Sequence, residues 1–443
     1  MPTLFGTDGV RGVAGVDLTA DLARSIAAAA VAELAGDQPR PLVVVGRDPR
    51  PSGPWLEAAV IEGLITAGAD VALLGVIPTP AVARAVADGV PGSAQPAAFG
   101  VVISASHNPA ADNGIKLFGP GGVKLSDEAE SNIEARLAAG ALTEAERPGA
   151  IRVDLADQTD WYAEALVATL PSRLNGISVV VDCANGAAAT VAQTAYARAG
   201  AAVTVINTDL SGEHINDGCG ATHLAAIQAA VSAAGAEVGI AHDGDADRCL
   251  AVTATGDVVD GDAILAILAI GAAANRRLSG GAIAATVMSN LGLIRALKAH
   301  DIAVATTPVG DKSVADRMRS EGLSIGGEQS GHVVLLDHAT TGDGILTGLH
   351  LLHAVTSSGR SLEELAAVVE RLPQVLINVP VADRAKALKA VSALTAEVSA
   401  ELGDDGRVLV RASGTEPLVR VMVEALTEDR ARQLAERIAD ALR

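Results

Sequence analysis

Aromatic side chains are almost missing from this chain: three Phe, two Tyr and two Trp in 443 residues. Basic residues are also short, 33 Lys and Arg against 53 Asp and Glu, for a formal charge of -20. A nucleic-acid surface needs basic patches and stacking rings, so that class of partner is excluded, as is a polysaccharide groove built on ring stacking. Three cysteines (Cys183, Cys219 and Cys249) are too few for a disulfide framework, which points to a reducing compartment and a cytoplasmic protein. The opening residues have neither a basic n-region nor an apolar h-region, so no secretory signal is expected. Long apolar runs are absent too. The longest, Ala263 to Ala274, is closed by Asp262 and Asn275 and reads as a buried helix, so no membrane partner is expected. No Walker A, Rossmann fingerprint, His-Glu-x-x-His, Cys-x-x-Cys or Gly-x-Ser-x-Gly occurs, which leaves nucleotide, zinc, redox and acyl-hydrolase readings without support.

What remains is a chain with 49% hydrophobic and 19% charged residues, the balance of a globular protein long enough for roughly two to four domains. One pattern recurs along it. Leu42 to Gly46 reads as a strand, Trp55 to Ala67 as a helix, and Asp70 to Leu74 as a second strand. The same order returns at Ser178 to Asp182, a helix to Ala199 and Ala202 to Ile206. It returns again at Ala282 to Val287, a helix to His300 and Ile302 to Ala305. Continuous apolar strands separated by amphipathic helices predict parallel βαβ units covered on both faces. Copies this far apart predict repeated domains rather than a solenoid. The last seventy or so residues differ: a strand near Val375 to Val381, a helix around Arg384 to Leu402, strands Val408 to Arg411 and Val419 to Val423, and a helix from Glu428. That order suits a small α+β domain. The expected domains are 1–150, 151–255, 256–370 and 371–443.

Chemistry concentrates in loops. Ser106 and His107 follow the strand-like run Phe99 to Ile103, with Asn108-Pro109 turning the chain at a strand's carboxyl end, where α/β ligand sites lie. A serine there carries a phosphoryl group if a base or metal is near. Asp243, Asp245 and Asp247 alternate in a tight loop and can converge on one hard cation. An EF-hand is ruled out, because counting from Asp243 puts Arg248 at position six and Ala254 at position twelve. A haloacid-dehalogenase-type nucleophile lacks the expected Thr or Val at Ala246. Arg411, Ser413, Gly414, Thr415 and Arg420 surround a hairpin loop and offer guanidiniums, hydroxyls and backbone N–H groups to a phosphate. Glu328, Ser330 and His332 lie in a glycine-bearing polar loop suited to sugar hydroxyls and proton shuttling.

Taken together, these four loops resemble those of the α-D-phosphohexomutases. Phe5-Gly6-Thr7-Asp8-Gly9-Val10-Arg11-Gly12, Asn216-Asp217-Gly218-Cys219-Gly220-Ala221-Thr222-His223 and Gly327-Glu328-Gln329-Ser330-Gly331-His332 resemble the bacterial branch acting on glucosamine phosphates. The resemblance runs from residue 5 to residue 420. It implies an α/β protein of three repeated mixed α/β domains plus a small C-terminal α+β domain, arranged around a central cleft with one loop from each. It implies Ser106 as the phosphoryl carrier, and one magnesium ion per chain on Asp243, Asp245 and Asp247 with the Ser106 phosphate as a further ligand. Arg11, Lys116 and His107 match positions beside the phosphoserine, Lys116 as a candidate general base and His332 as a possible acid/base. Arg248, Glu328 and Ser330 match substrate contacts, and Arg411, Ser413, Gly414, Thr415 and Arg420 the loop that holds the non-reacting phosphate. The implied reaction interconverts glucosamine 6-phosphate and glucosamine 1-phosphate through glucosamine 1,6-bisphosphate, supplying UDP-N-acetylglucosamine and cell-wall synthesis. The partner is a small sugar phosphate, and the protein a monomer or homodimer. Thr307-Pro308-Val309-Gly310-Asp311-Lys312-Ser313 departs from the family pattern, since Pro308 removes a cation and a backbone donor and Lys312 replaces a fork donor, so this loop is left out of the expected site. Arg11, Lys116, Arg248, Arg411 and Arg420 with magnesium are expected to make a positive cleft inside an acidic shell. A relative acting on mannose or glucose phosphates, a metal-dependent phosphatase and a non-catalytic sugar-phosphate sensor stay open as alternatives.

Overall fold

The computed structural model describes residues 4–6, 8–36, 38–140, 144–156, 158–413 and 416–443. The chain forms two compact units, Met1–Val287 with Val304–Ala366, and Met288–Ala303 with Ala367–Arg443.

The first unit holds three sheets. In the first, the apolar strand Leu42–Arg47 runs parallel to Asp70–Val76 on one side and Ala97–Ile103 on the other. Helix Gly53–Thr66 connects the first pair, as the hydrophobic pattern predicts. The chain then reverses: Asp112–Gly119 lies antiparallel to Ala97–Ile103, and Val10–Val13 antiparallel to Asp112–Gly119. In the second sheet Ser178–Asp182 is parallel to Ala202–Ile206 and Val238–Ala241, and Leu250–Thr253 again turns back antiparallel. In the third, Ala282–Thr286 is parallel to Ile325–Gly327, and Val333–Leu335 reverses. Each sheet is therefore mixed, and each reversal carries one of the loops singled out above. A short loop between antiparallel neighbours is anchored at both ends by ladder hydrogen bonds, which is what a positioned side chain needs.

Burial on both faces holds for the central strands but not for the sheet edges. Leu42–Gly46, Ala97–Ile103 and Val238–Ala241 are buried throughout, whereas Ala202 and Thr204 are exposed in the second sheet and Ala303 in the third. The expectation of fully covered strands fails there because Ala202–Ile206 and Ala303–Thr307 lie at sheet edges, with a neighbour on one side only. The run Ala263 to Ala274 is helix Gly261–Ala274, with Ala263 through Ala269 buried and Asp260 capping its start by accepting from the Ala263 N–H at 3.1 Å.

The second unit is a three-stranded antiparallel sheet in the order Gln374–Pro380, Leu418–Ala425, Gly406–Ala412, with helices Arg384–Leu402 and Glu428–Asp440. Helix Leu291–Ala299, expected within the third repeat, belongs to this unit. Buried Glu424 ties it down, accepting from the Leu291 N–H at 2.9 Å, from Arg407 Nε at 2.8 Å and from Gln374 Nε2 at 2.8 Å.

Candidate active site

Asp243, Asp245 and Asp247 are buried, and one oxygen from each lies within 4.8 Å of the others. Between the aspartates, Ala246 is buried at φ 58° and Gly244 packs against the serine loop. A Cβ at Gly244 would come 2.6 Å from the Ser106 carbonyl oxygen and 2.8 Å from Asn216 Nδ2. Burial, with Asp247 and Asp245 beside it, pushes the Asp243 carboxyl up to about 7. Burial also opposes ionisation of Asp247, but Lys116, His332 and Arg248 outweigh it and hold that carboxyl well below its usual range. Asp245 Oδ1 and Asp247 Oδ1 are buried with no hydrogen-bond partner among the described residues. Orphaned carboxylate oxygens in a like-charged buried cluster fit a hard divalent cation.

Ser106 meets this triad directly. Its hydroxyl donates to Asp243 Oδ2 at 2.6 Å, and its backbone sits at φ 53°, a left-handed conformation that costs a non-glycine residue about 1–2 kcal/mol. Ser106 is 1% exposed. His107 Nδ1 lies 3.4 Å from the Ser106 hydroxyl, and burial together with Arg248 and Arg11 lowers its pKa to about 4, which leaves a neutral imidazole.

Lys116, expected as a base, is clasped by acids: Nζ is 2.7 Å from Asp245 Oδ2, 2.8 Å from Asp8 Oδ2 and 3.8 Å from Asp247 Oδ2. Burial opposes its charge, but Asp245, Asp8 and Asp247 outweigh that and raise its pKa above the ordinary value, so in this arrangement it is an ammonium. Asp8 also pairs with Arg11 and with Lys124, and Lys124 with Asp311. His332 is buried, its Nδ1 3.6 Å from Asp247 and its Nε2 3.8 Å from Asp311. Burial lowers its pKa, but the two carboxylates prevail and raise it to about 8. Arg248 Nε lies 3.8 Å from Asp243 and 3.9 Å from Asp247.

The structure thus brings Ser106, His107, Lys116, Arg11, Arg248, His332 and the three aspartates into one cluster. Glu328 is half-buried and accepts from the Gly310 N–H at 3.0 Å, while Ser330 is exposed. Thr79, Asp8, Lys124 and Asp311 escaped the sequence reading as site residues. Thr79 donates its hydroxyl to Asp245 Oδ2 at 2.6 Å and its N–H to the Asp245 carbonyl at 3.0 Å. Asp311 lies in the very loop that the departing Pro308 had set aside, whereas Lys312 is drawn off to Asp127 and Glu130. The expected positive charge does not come from this cluster's side chains. Asp8, Asp243, Asp245, Asp247 and Asp311 face Arg11, Lys116, Lys124, Arg248 and His332, so the side chains come close to balance and a bound divalent cation would add the positive charge.

In the second unit, Arg411 and Arg420 are direct partners on adjacent antiparallel strands. Burial and then Arg420 lower the Arg411 pKa. Like charges directly opposite destabilise a sheet, and an anion between them removes the conflict. Arg420 has Glu416 at 3.1 Å, and Arg411 has no carboxylate partner among the described residues. Ser413 is buried, its carbonyl accepting from Arg384 at 2.5 Å. Gly414 and Thr415 lie outside the described residues.

Fold and site together define a phosphoryl-transfer enzyme with an Asp-rich cation loop and a buried serine. Family models for the four phosphoglucomutase/phosphomannomutase domains match residues 2–144 (alpha/beta/alpha domain I), 160–256 (domain II), 260–372 (domain III) and 376–441 (C-terminal domain). The chain belongs to the phosphoglucomutase/phosphomannomutase family. It is 57% identical to the phosphoglucosamine mutase of Salinispora arenicola, over 100% of this chain and 99% of that one. Among solved structures it is similar to a phosphoglucomutase/phosphomannomutase family protein of Burkholderia thailandensis, with TM-score 0.85, 27% identity and coverage of 99% and 97%. The Aspergillus fumigatus N-acetylphosphoglucosamine mutase in complex with GlcNAc-6P and magnesium shares the fold, with TM-score 0.65, 20% identity and coverage of 99% and 95%. No helix among the described residues is long and apolar enough to cross a membrane.

Proposed function

We propose that this chain is a phosphohexomutase that interconverts glucosamine 6-phosphate and glucosamine 1-phosphate, with Ser106 as the phosphoryl carrier. The observation that carries the reading is the buried Ser106 hydroxyl on Asp243 at the edge of the three-aspartate cluster. The amino-sugar preference is supported by the name of its full-length relatives.

Phosphoserine 106 gives its phosphoryl group to a sugar hydroxyl. The Ser106 Oγ–P bond breaks, the sugar O–P bond forms, and the hydroxyl proton passes to a base. The resulting glucosamine 1,6-bisphosphate returns its other phosphoryl group to Ser106. Asp243, Asp245 and Asp247 would hold magnesium, which offsets charge on the moving group. Lys116 and Arg248 supply fixed cations around it. Lys116 takes the proton only if its carboxylate partners release their hold. His332 accepts the Gly342 N–H at Nε2 at 3.1 Å and so turns a protonated Nδ1 toward Asp247, which makes it the candidate acid of the cluster. Glu328 and Ser330 face sugar hydroxyls, and Arg411, Ser413, Gly414, Thr415 and Arg420 bind the phosphate that is not reacting.

Turnover of glucosamine, glucose and mannose phosphates on the phosphorylated enzyme tests this. The expected result is a clear preference for the amino sugar and complete loss of turnover in Ser106→Ala with sugar-phosphate binding retained. Near-normal turnover by Ser106→Ala would sink the mechanism, and a preference for mannose or glucose phosphate would move the chain to another branch of its family.

A further inference from the structure

We infer that Arg50 is the positioning residue of the serine loop, fixing Ser106 for phosphoryl transfer while touching neither substrate nor the transferred group. This rests on the reading of Ser106 as the phosphoryl carrier.

Topology puts the two loops together. Strands Leu42–Arg47 and Ala97–Ile103 run parallel, with Arg47 in register with Ile103, and the Asp48 N–H donates to the Ile103 carbonyl at 3.1 Å. The loop that follows each strand therefore leaves the same end of the sheet. Arg50 lies beneath the serine loop with its side chain wholly buried. A guanidinium has five N–H donors, and all five are used. Nε donates to Asp48 Oδ2 at 2.9 Å. One terminal nitrogen donates to the carbonyls of Ser106 at 2.9 Å and Asn108 at 2.8 Å. The other donates to those of Asp112 at 3.0 Å and Pro109. Four carbonyls of one loop converge on one planar fork.

Asp48 completes the clamp. The same Oδ2 accepts the Ser104 hydroxyl at 2.6 Å, and Ser104 Oγ in turn accepts the Ser106 N–H at 2.8 Å. Asn216, from the second sheet's domain, adds a second donor to the Ser106 carbonyl at 2.9 Å. Both backbone groups of Ser106 are thus held in the left-handed conformation, and the hydroxyl is left for chemistry. An arginine so near a phosphoryl site invites assignment as an anion ligand, but Arg50 has no donor to spare. Its donors fix the main chain on either side of Ser106.

Arg50→Lys keeps the charge but has three donors for five acceptors. A misplacement of about 1 Å at a reacting atom costs roughly 100-fold in rate. Phosphoenzyme labelled at Ser106 is mixed with sugar phosphate, and single-turnover transfer is followed with steady-state kcat and KM, and with Mn2+ affinity of the dephosphorylated protein. The expected result for Arg50→Lys is transfer and kcat reduced by about 100-fold, with KM and Mn2+ affinity near wild type. A fold defect alone would not give that split. Folded Arg50→Lys transferring at the wild-type rate would overturn the inference. Should Arg50→Lys not fold, Ser104→Ala removes both the Ser106 N–H acceptor and the hydroxyl bond to Asp48, the partner of Arg50; slowed transfer with KM unchanged supports the clamp, and a wild-type rate overturns it. Failure of the wild-type enzyme to hold phosphate on Ser106 would bring down the carrier reading instead, and is read in the same labelling step.

Discussion

Replacing Thr79 by valine tests the cation centre through a residue outside the proposed ligands. Thr79 opens helix Thr79–Asp88, is 2% exposed, and clamps Asp245 twice, by its hydroxyl at 2.6 Å and its N–H at 3.0 Å. Valine keeps the volume and the N–H and drops only the hydroxyl. Lys116 still reaches the same Asp245 oxygen at 2.7 Å, so that oxygen keeps a charged partner in the variant. A hydrogen bond to a charged acceptor is worth about 1.5–3 kcal/mol. Loss of a partner that orients a metal-ligating group weakens metal binding by roughly 10–100-fold, or about 1.4–2.8 kcal/mol, so the two scales agree. Calorimetric titration of Mg2+ and Mn2+ into dephosphorylated wild-type, Thr79→Val and Thr79→Ser proteins reads the effect without turnover. Thr79→Val is expected to bind both ions roughly 10–100-fold more weakly, with Thr79→Ser restoring most of the loss. Unchanged metal affinity in a folded Thr79→Val protein would refute the claim that Asp245 is a ligand held by this bond.

Two further outcomes are expected. Arg411→Gln removes a charge-assisted phosphate contact and one member of a like-charged cross-strand pair, so KM for sugar phosphate should rise roughly 10-fold or more while the melting temperature holds or rises; an unchanged KM would remove this hairpin from the binding machinery. His350 is half-buried with its ring 5.0 Å from that of His338, and burial followed by His338 and His353 lowers its pKa from 6.5 to about 3. Between those values the unfolded chain binds the proton and the folded chain does not, so this stability is complete above about pH 6.5 and is lost as pH falls toward 3. The loss is at most about 5 kcal/mol, and His350→Asn should flatten that slope in denaturant titrations across the window; an unaltered slope would show that the depressed pKa is not expressed.

The candidate loops were legible because each keeps its polar residues within a few positions: Ser106 with His107, Asp243 with Asp245 and Asp247, Arg411 with Ser413. The strands were legible where apolar runs were unbroken. What escaped depends on contacts between distant positions. Thr79 and Asp245 are 166 residues apart, and Lys124 and Asp311 are 187 apart. No local pattern marks such pairs. Arg50 was hidden for another reason, since an Arg-Asp-Pro-Arg stretch reads as a solvated turn until the parallel pairing of its strand with Ala97–Ile103 sets it under the serine. The antiparallel return strands, such as Leu250–Thr253 and Val333–Leu335, carry the same apolar signature as parallel ones, so mixed sheets look like pure βαβ units until the register is known.

The contact at Gly244 has one more implication. With room for no Cβ between this residue and the Ser106 carbonyl, and with the Thr79 N–H donating to the Asp245 carbonyl, the main chains of the first and second domains touch at the site. The spacing between the Ser106 main chain and the aspartate loop is then gauged by peptide backbone. A hinge that opened between these two loops would have to tear that spacing apart, so whatever movement admits the sugar must carry serine and aspartates together as a single part.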